Sequence, residues 1–507
     1  MTRIAVRPFR VALLLGLGLL AQALTLSAAV EARDVLGAAH VAGKYNFTGD
    51  DYLNEGADRL LDLGTRVIKV WFRLDPEAYY PFNSDWSPAP ANLVELAQKP
   101  YYQELFAKPF TTYFLVIAPV TVTSQFLDGM TPEETAAERE HMRSLAAYLL
   151  TTYAWSGKTF VLQNWEGDHL MRQGLPAGVE PYPNRIQGMR DWWTARQEGV
   201  EQARREVAAQ GVTVAHAAEV NLITEAMAGK ITATNDVLPF IHPDLVSYSS
   251  WDVRFDRAQL VQALDYLEEK TPDSALFGDR NVYLGEFGGV RDQMAVGADI
   301  PTVIQGLAEA ALGWGVRWAV YWQVYCNSTV RDLHGRRPAV RDMRGFWLVR
   351  PDNRKTRMWE TFQKRLSGTL TRVALASDSG DGRLVAVGDG GAVRVNLDRP
   401  RPWTTFTITD LNGGALRSGE RVTLQSHSGF YLSTDGTGKV TAKSAEAGPA
   451  ETFVLWKIGG TGTIQGSDDI ALQAGSGRYV IVEGSGQLRA AGTATDPLAK
   501  FRFRSRE

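Results

Sequence analysis

Hydrophobic and polar residues alternate in two ways along this chain, and the change between them falls near residue 367. Before that point, short apolar runs typical of buried strands are separated by longer stretches whose apolar residues recur every three or four positions, as on one face of a helix. The apolar runs predict eight strands, over 38–43, 66–72, 111–118, 159–163, 212–217, 245–249, 281–285 and 316–323. The amphipathic stretches predict helices over 51–63, 133–153, 186–209, 256–269, 302–312 and 358–366.

Strands that alternate with helices across residues 33–366 predict a (β/α)8 barrel, the α/β TIM barrel fold. Such barrels typically take about 250 residues, and insertions lengthen them. An open doubly wound sheet is the alternative. The barrel is preferred because no glycine-rich phosphate-binding turn follows the first strand, and because polar residues follow several strands instead of one crevice.

Beyond residue 367 the helical periodicity disappears and an internal repeat begins. Three similar segments start at Val373, Val422 and Ile470, at steps of 49 and 48 residues. Each segment contains about four short strand-like runs with turns between them. Three such units predict an all-β β-trefoil domain over residues 367–507.

The second unit of the repeat carries "GFYLS" at 429–433 and "GKVTA" at 438–442. These motifs resemble the repeated frame of the fascin-like trefoil family. The first unit departs from it, with "DGRL" at 381–384 where an aromatic residue is expected. We expect this domain to act as a carbohydrate-binding or docking module, with His427 and Tyr431 as candidate contact residues.

The N-terminus predicts export. Three arginines within the first ten residues precede an uncharged apolar stretch over 11–24 and then small residues. This pattern is typical of a secretory signal, here over residues 1–32 with a cut near Ala29 or Ala32, so we expect a secreted or periplasmic protein. The apolar stretch is short for a stable membrane span, although an uncleaved anchor is the alternative. Cys326, the only cysteine, is interpreted as a small buried hydrophobe.

Charge and histidine spacing narrow the classes of partner. The formal net charge is -3, and no Lys/Arg run beyond the first ten residues resembles a nucleic-acid footprint, so no nucleic-acid partner is expected. No His-x-x-x-His pair is present, and we expect neither a metal nor another cofactor. A neutral or modestly charged substrate fits this composition. The oligomeric state stays open.

Two glutamates follow predicted strands in matching contexts. Glu166 follows the fourth strand in "VLQNWEGD", and Glu286 follows the seventh in "VYLGEFGG". Active sites of such barrels form at the carboxyl ends of the strands. Hydrolysis of a glycosidic bond with retention needs one protonated and one ionised carboxyl group, held about 5–5.5 Å apart. The pair therefore predicts a retaining glycoside hydrolase.

This arrangement resembles clan A of the retaining glycoside hydrolases, in which the acid/base glutamate follows strand four and the nucleophilic glutamate follows strand seven. The resemblance implies that Glu166 is the acid/base and Glu286 the nucleophile. The clan usually has asparagine directly before its acid/base, whereas here Trp165 separates Asn164 from Glu166. Either the strand bulges at this point or the sugar subsite differs from the common pattern; both residues are substrate-binding candidates.

The resemblance implies further contacts to substrate or nucleophile. Trp322 matches the aromatic platform under the cleaved sugar, and Tyr248 matches a tyrosine that hydrogen-bonds the nucleophile. Arg73 resembles the arginine that keeps the nucleophile ionised. His40 and His216 are candidates for contacts to sugar hydroxyls. Structural alternatives are a core position for Trp322 and buried structural roles for the two histidines.

These patterns together predict an exported retaining glycoside hydrolase that cleaves a poly- or oligosaccharide. A first alternative is a non-catalytic carbohydrate-binding protein on a decayed hydrolase barrel. A second is a docking protein whose trefoil holds a protein partner at the cell surface, with the barrel as a passive scaffold. The sugar, its linkage and endo or exo action stay open, because loop geometry decides them.

Overall fold

The computed structural model describes residues 30–119, 125–290, 293, 298–378, 382–399, 401–411, 416–460, 462, 464 and 468–505. Most of the predicted signal region, residues 1–29, lies outside the described residues.

The N-terminal domain is a closed barrel of eight parallel strands with helices between them, which confirms the predicted fold class. The first strand pairs with the eighth, with Leu36 opposite Ala319, and this closure excludes the open sheet. The barrel strands are Leu36–His40, Val67–Trp71, Thr112–Val116, Lys158–Gln163, Val212–Val220, Leu245–Ser249, Val282–Phe287 and Ala319–Tyr321. The α-helices are Tyr52–Leu63, Leu93–Ala97, Pro100–Ala107, Pro132–Thr152, Gly167–Met171, Pro183–Val207, Ile223–Met227, Ala233–Asp236, Arg257–Lys270, Ile300–Trp314 and Arg357–Gly368.

The long helix Pro132–Thr152 shows how local sequence sets these boundaries. The Thr131 side chain accepts a hydrogen bond from the Glu134 N–H, and the Glu134 carboxylate accepts one from the Thr131 N–H, so both ends of a capping box are formed. Arg196 on the neighbouring helix donates to the buried Glu138 carboxylate at 2.7 Å. The ion pair links the two helices in a fully buried position.

The interior of the barrel changes from apolar to polar along the strands. One layer is a buried cluster of apolar side chains that includes Val67, Phe114 and Tyr283. Two residues further along the second strand comes Lys69, which is fully buried and charged. Since alternate residues of a strand face the same side, Lys69 lies on the inward face next to Val67. The polar layer therefore lies toward the carboxyl ends of the strands.

The C-terminal domain consists of three consecutive four-stranded units, as the repeat predicts. Six of its strands form a closed antiparallel ring, and the remaining six pair as three hairpins, which is β-trefoil topology. The twelve strands are Thr369–Ser377, Leu384–Val387, Val393–Leu397, Thr405–Asp410, Glu420–Ser426, Tyr431–Thr434, Val440–Ser444, Thr452–Lys457, Asp469–Ala474, Tyr479–Val482, Leu488–Gly492 and Phe501–Ser505. Phe406, Phe453 and Phe501 occupy equivalent buried positions in one core.

The two domains join without an intervening loop. The helix Arg357–Gly368 ends where the first trefoil strand, Thr369–Ser377, begins. Glu309 of the barrel accepts hydrogen bonds from Arg365 at 2.6 Å and from the Tyr431 hydroxyl of the trefoil at 3.1 Å. The short strand Val30–Glu31 also pairs with Thr369–Ser377. In the part of the chain that the structure describes, none of the helices combines the length and apolarity that crossing a membrane requires.

Candidate active site

Glu166 lies where the fourth barrel strand turns into a short helix. The strand Lys158–Gln163 ends three residues before it, and the helix Gly167–Met171 begins directly after it. Glu166 has φ 26° and ψ 76°, a region that non-glycine residues rarely adopt. Its backbone N–H donates to Glu219 Oε1 at 3.0 Å, which holds this turn in place. The irregular backbone directs the Glu166 carboxylate to Ser249, whose hydroxyl oxygen lies 2.7 Å away.

Glu286 lies beside a register shift in the seventh barrel strand. Tyr248 pairs with Leu284 but the next residue, Ser249, pairs with Glu286, so Gly285 is an extra residue in this strand. A Cβ atom on Gly285 would lie 1.8 Å from the Ser247 hydroxyl oxygen. Only glycine therefore fits at this bulge.

The two glutamates share one hydroxyl group. Ser249 Oγ lies 2.7 Å from Glu166 Oε1 and 3.3 Å from Glu286 Oε2, so these two oxygens are at most about 6 Å apart. The limit falls below the 6.5–9.5 Å spacing of inverting glycosidases and includes the 5–5.5 Å spacing of retaining ones. A hydroxyl has one hydrogen to donate, so it contacts two carboxyl groups best when one of them is protonated.

Lys69 and Glu219 form the buried support of this pair. Lys69 Nζ donates to Glu286 Oε1 and Glu219 Oε2, each at 3.0 Å, and to the Gly285 carbonyl at 3.2 Å. Glu219 Oε2 also accepts hydrogen bonds from Gln163 and Ser247, both at 2.7 Å. Glu219 thereby connects side chains from several barrel strands and fixes the position of Lys69.

Lys69 is therefore one cation shared by the Glu219 and Glu286 carboxyl groups, and the charges around Glu286 affect its pKa. Burial raises the pKa of Glu286 to about 7; Lys69 opposes this increase, whereas Glu219 and Glu166 add to it. Burial lowers the pKa of Lys69, but Glu219 and Glu286 outweigh that effect and raise it above its usual value. Lys69 therefore stays charged, and Glu286 can exchange a proton near neutral pH.

His169 connects Glu166 to solvent. Its Nδ1 lies 2.5 Å from Glu166 Oε2, and its side chain is half exposed. The hydrogen bond to Glu166 raises the pKa of His169, against a smaller opposing effect of partial burial. Glu166 itself is 5% exposed, so this imidazole offers the buried carboxyl a hydrogen-bonded route for proton exchange.

An aromatic groove of about 520 Å³ extends from His169 across the second, third and fourth barrel strands. Trp71 and Tyr79 stack in it with ring centroids 4.9 Å apart, and Trp165 lies 6.4 Å from Trp71. The Arg73 guanidinium lies over both stacked rings. The groove offers flat apolar faces beside hydrogen-bonding groups, as sugar-binding clefts do.

The structure brings five of the predicted residues to the barrel mouth. Glu166 and Glu286 share Ser249. Trp165 and Arg73 line the aromatic groove. Trp322 is half-buried and packs against the apolar cluster inside the barrel. It therefore contributes to the core and also keeps part of its indole accessible.

Two predicted partners of Glu286 are not its partners. The Tyr248 hydroxyl donates to Asp252 at 2.5 Å, because Tyr248 lies one residue before Ser249 and faces the other side of the strand. Arg73 forms an ion pair with Asp75 at 3.1 Å. Lys69 holds Glu286 instead, since it lies on the inward face of the same strand that precedes Arg73.

Three further predicted contacts are structural. Asn164 is fully buried, and its amide exchanges two hydrogen bonds with the Glu219 backbone, at 3.0 and 3.1 Å, so it joins two strands. His40 contacts the Tyr52 carbonyl, and burial lowers its pKa to about 4. His216 contacts Gln197, and burial lowers its pKa well below the usual value. Neither histidine is accessible to a sugar.

Sequence reasoning missed Lys69, Glu219, Ser249 and His169. Lys69 and Glu219 stand inside or at the end of apolar runs, where an ionisable side chain signals a buried ion pair. The predicted fifth strand stops at 217, but the observed strand Val212–Val220 includes Glu219. Among the described residues, no three His, Cys, Asp or Glu side chains are arranged to hold a metal ion.

Comparison with a family model supports the predicted fold of the C-terminal domain. A family model described as the Fascin domain matches residues 380–503, in agreement with the predicted resemblance. No curated protein matches the chain. The solved structure of the SDF2-like protein from Arabidopsis thaliana is similar at 13% identity and a TM-score of 0.24, over 27% of this chain and 92% of that one.

Proposed function

We propose that the barrel is a retaining glycoside hydrolase acting on an oligo- or polysaccharide, with Glu166 as acid/base and Glu286 as nucleophile. The observation that carries this proposal is the Ser249 hydroxyl shared by the two carboxyl groups, which limits their separation to about 6 Å at the carboxyl ends of the barrel strands. Their burial and unequal surroundings suit one protonated and one ionised carboxyl group.

The reaction then has two steps. Glu286 attacks the anomeric carbon while Glu166 gives its proton to the departing glycosidic oxygen, and a glycosyl ester forms on Glu286. Glu166, now ionised, takes a proton from water as that water attacks the same carbon and releases Glu286. Lys69 favours the ionised form of Glu286 before attack. The hydrogen bond from His169 orients the Glu166 carboxyl group for both proton transfers.

The aromatic groove supports a carbohydrate on the leaving-group side. Trp165 directly precedes Glu166, and His169 contacts it, so the groove that they line begins at the carboxyl group that protonates the leaving oxygen. Indole and phenol faces suit the apolar C–H faces of pyranose rings. We therefore place the sugars of the leaving group along Trp165, Trp71 and Tyr79.

Substitution of the two glutamates tests the proposal. We expect Glu166→Gln to lower turnover by about 10²–10⁴-fold, because proton transfer is lost, and Glu286→Gln to lower it at least as far. Release of reducing sugars from a panel of α- and β-glycans measures this. Glu360→Gln, a change at an exposed position of the helix Arg357–Gly368, is the matched control, and circular dichroism checks the fold.

Product stereochemistry gives a second test. Retention of the anomeric configuration in the first product, followed by ¹H NMR, is expected. Undiminished hydrolysis by Glu286→Gln or an inverted first product contradicts the assignment. Glycan binding without release from any substrate supports the non-catalytic alternative instead.

A further inference from the structure

A cavity of about 820 Å³ lies on the trefoil surface, where its first and second units meet. Residues 387–391 of the first unit and residues from the segment 427–430 of the second line it. Two large aromatic side chains at its edge are unusually accessible, with Trp403 42% and Phe430 40% exposed. The volume lies in the range of roughly 300–1,000 Å³ that small-molecule sites occupy.

The threefold repeat shows that the fold does not require these rings. Trp403 follows the proline of a 3-10 turn that each unit repeats, and the equivalent residues are Ala450 and Leu498. Phe430 directly precedes the strand that begins at Tyr431, and Arg478 holds the same place before Tyr479. Only this junction combines two aromatic rings at the two positions. Because the fold does not require these two rings, their exposure to water indicates a ligand-binding site.

Polar groups beside the rings favour an uncharged, hydroxyl-rich ligand. Asp389 and Lys443 bring one charge of each sign to the cavity. Burial lowers the pKa of His427 to about 4, so this imidazole is neutral at physiological pH. Its Nδ1 is buried and has no hydrogen-bond partner among the described residues.

Trp403 also borders a second cavity, of about 270 Å³, which Arg394 and Asn396 line. The Trp403 indole therefore lines both cavities and lies between them. A chain of sugar rings fits such a surface better than a single compact ligand, because successive units can occupy both sides of the ring. Pyranoses supply C–H faces for the aromatic rings and hydroxyls for the polar rim.

We propose that the cavity on the trefoil surface, called the trefoil groove and formed by Trp403, Phe430, His427, Asp389 and Lys443, binds a neutral oligosaccharide. The site is separate from the glutamate pair of the barrel, and it does not depend on the reaction assigned there.

An array of neutral oligosaccharides tests the proposal: α- and β-glucans, xylans, mannans, galactans and chitin oligomers, probed with the full-length Glu286→Gln protein. We expect binding that Trp403→Ala or Phe430→Ala weakens by about tenfold or more, since each removes one stacking surface. Trp456→Ala is the matched control, because Trp456 is 38% exposed on the same domain but does not line the groove.

Hydrogen exchange locates the bound glycan and separates this site from the barrel. We expect the bound oligosaccharide to protect peptides over 387–391 and 427–430. Protection confined to barrel peptides, equal binding by the Trp403→Ala and Trp456→Ala proteins, or no binding to any glycan of the array would overturn the proposal. Loss of hydrolysis in the barrel variants leaves this test unaffected.

Discussion

At the scale of single residues, Lys69 influences the ionisation of Glu286. It is fully buried and lies 3.0 Å from both Glu219 and Glu286. The nucleophilic role that we propose for Glu286 requires its ionised form, so activity should fall as the pH drops through its pKa, which is about 7. The Lys69 charge holds that pKa lower than burial alone would set it.

Replacing Lys69 with Met should therefore move the acidic limb of the pH–activity profile to higher pH. We expect a shift of about one to three pH units, the effect of removing one opposite charge at this distance. The pH dependence of kcat/KM measures it. Arg73→Met is the matched control, since Arg73 pairs with Asp75 and should leave the limb in place. A limb that moves in Arg73→Met and not in Lys69→Met would restore the role that the sequence assigned to Arg73.

The sequence predicts Glu166 and Glu286 because each interrupts an apolar run where a strand ends. It does not predict the hydrogen-bond partners of these glutamates. Neighbouring residues of a barrel strand face opposite sides, and the sequence alone does not show which of them faces inward. Tyr248 and Ser249 are neighbours, and a bulge in the adjacent strand, Val282–Phe287, decides which of them contacts Glu286. Glu219 accepts hydrogen bonds from three other strands, a convergence that only the closed barrel creates.

At the scale of secondary structure elements, the bulge at Gly285 sets the geometry of the seventh strand. A Cβ atom there would lie 1.8 Å from Ser247 Oγ and 2.7 Å from Glu219 Oε2. Both neighbours belong to the hydrogen-bonded support of the site, so neither can move without disturbing the other.

We expect Gly285→Ala to lower the free energy of unfolding by about 1–3 kcal/mol through overpacking, and to lower kcat as well. Urea denaturation and steady-state kinetics measure the two effects. Gly49→Ala is the matched control, because nothing lies within 4 Å of its added Cβ. Ser247→Ala combined with Gly285→Ala should recover part of the lost stability, whereas simple additivity of the two changes would contradict this contact.

Most elements were predictable because their periodicity reflects burial on one side. The predicted helix over 256–269 corresponds to Arg257–Lys270, and its cap, Asp256, is visible in the sequence. Ends of strands were less predictable. The predicted first strand covers 38–43, but the observed one is Leu36–His40, since the chain leaves the barrel wall while its residues are still apolar.

At the scale of the whole molecule, Glu309 joins the two domains. It accepts hydrogen bonds from Arg365 of the closing helix and from Tyr431 of the trefoil. Tyr431 was a candidate contact for sugars, but it is buried at this joint. The repeat predicts the trefoil itself, but not which of its faces docks, because the three units offer similar hairpins.

Tyr431→Phe tests the joint. Loss of the hydroxyl should destabilise domain docking by about 1.5–3 kcal/mol, the usual contribution of a hydrogen bond to a charged group. We expect the unfolding transitions of the two domains to separate in differential scanning calorimetry. Tyr479→Phe, the equivalent change in the third unit, is the control. Its calorimetric unfolding profile should be the same as that of the unsubstituted protein. Identical profiles for both variants would show that Glu309 does not couple the domains.

The absence of a loop between Gly368 and Thr369 has a consequence for polymer substrates. A module on a flexible tether raises local concentration over a volume that the tether length sets. Here a polysaccharide chain bound at the trefoil groove would reach the proposed catalytic cleft at one fixed distance from its binding site. The spacing of cuts along a polysaccharide should then reflect that span, and a flexible insertion at this joint should blur the product lengths while leaving the chemistry intact.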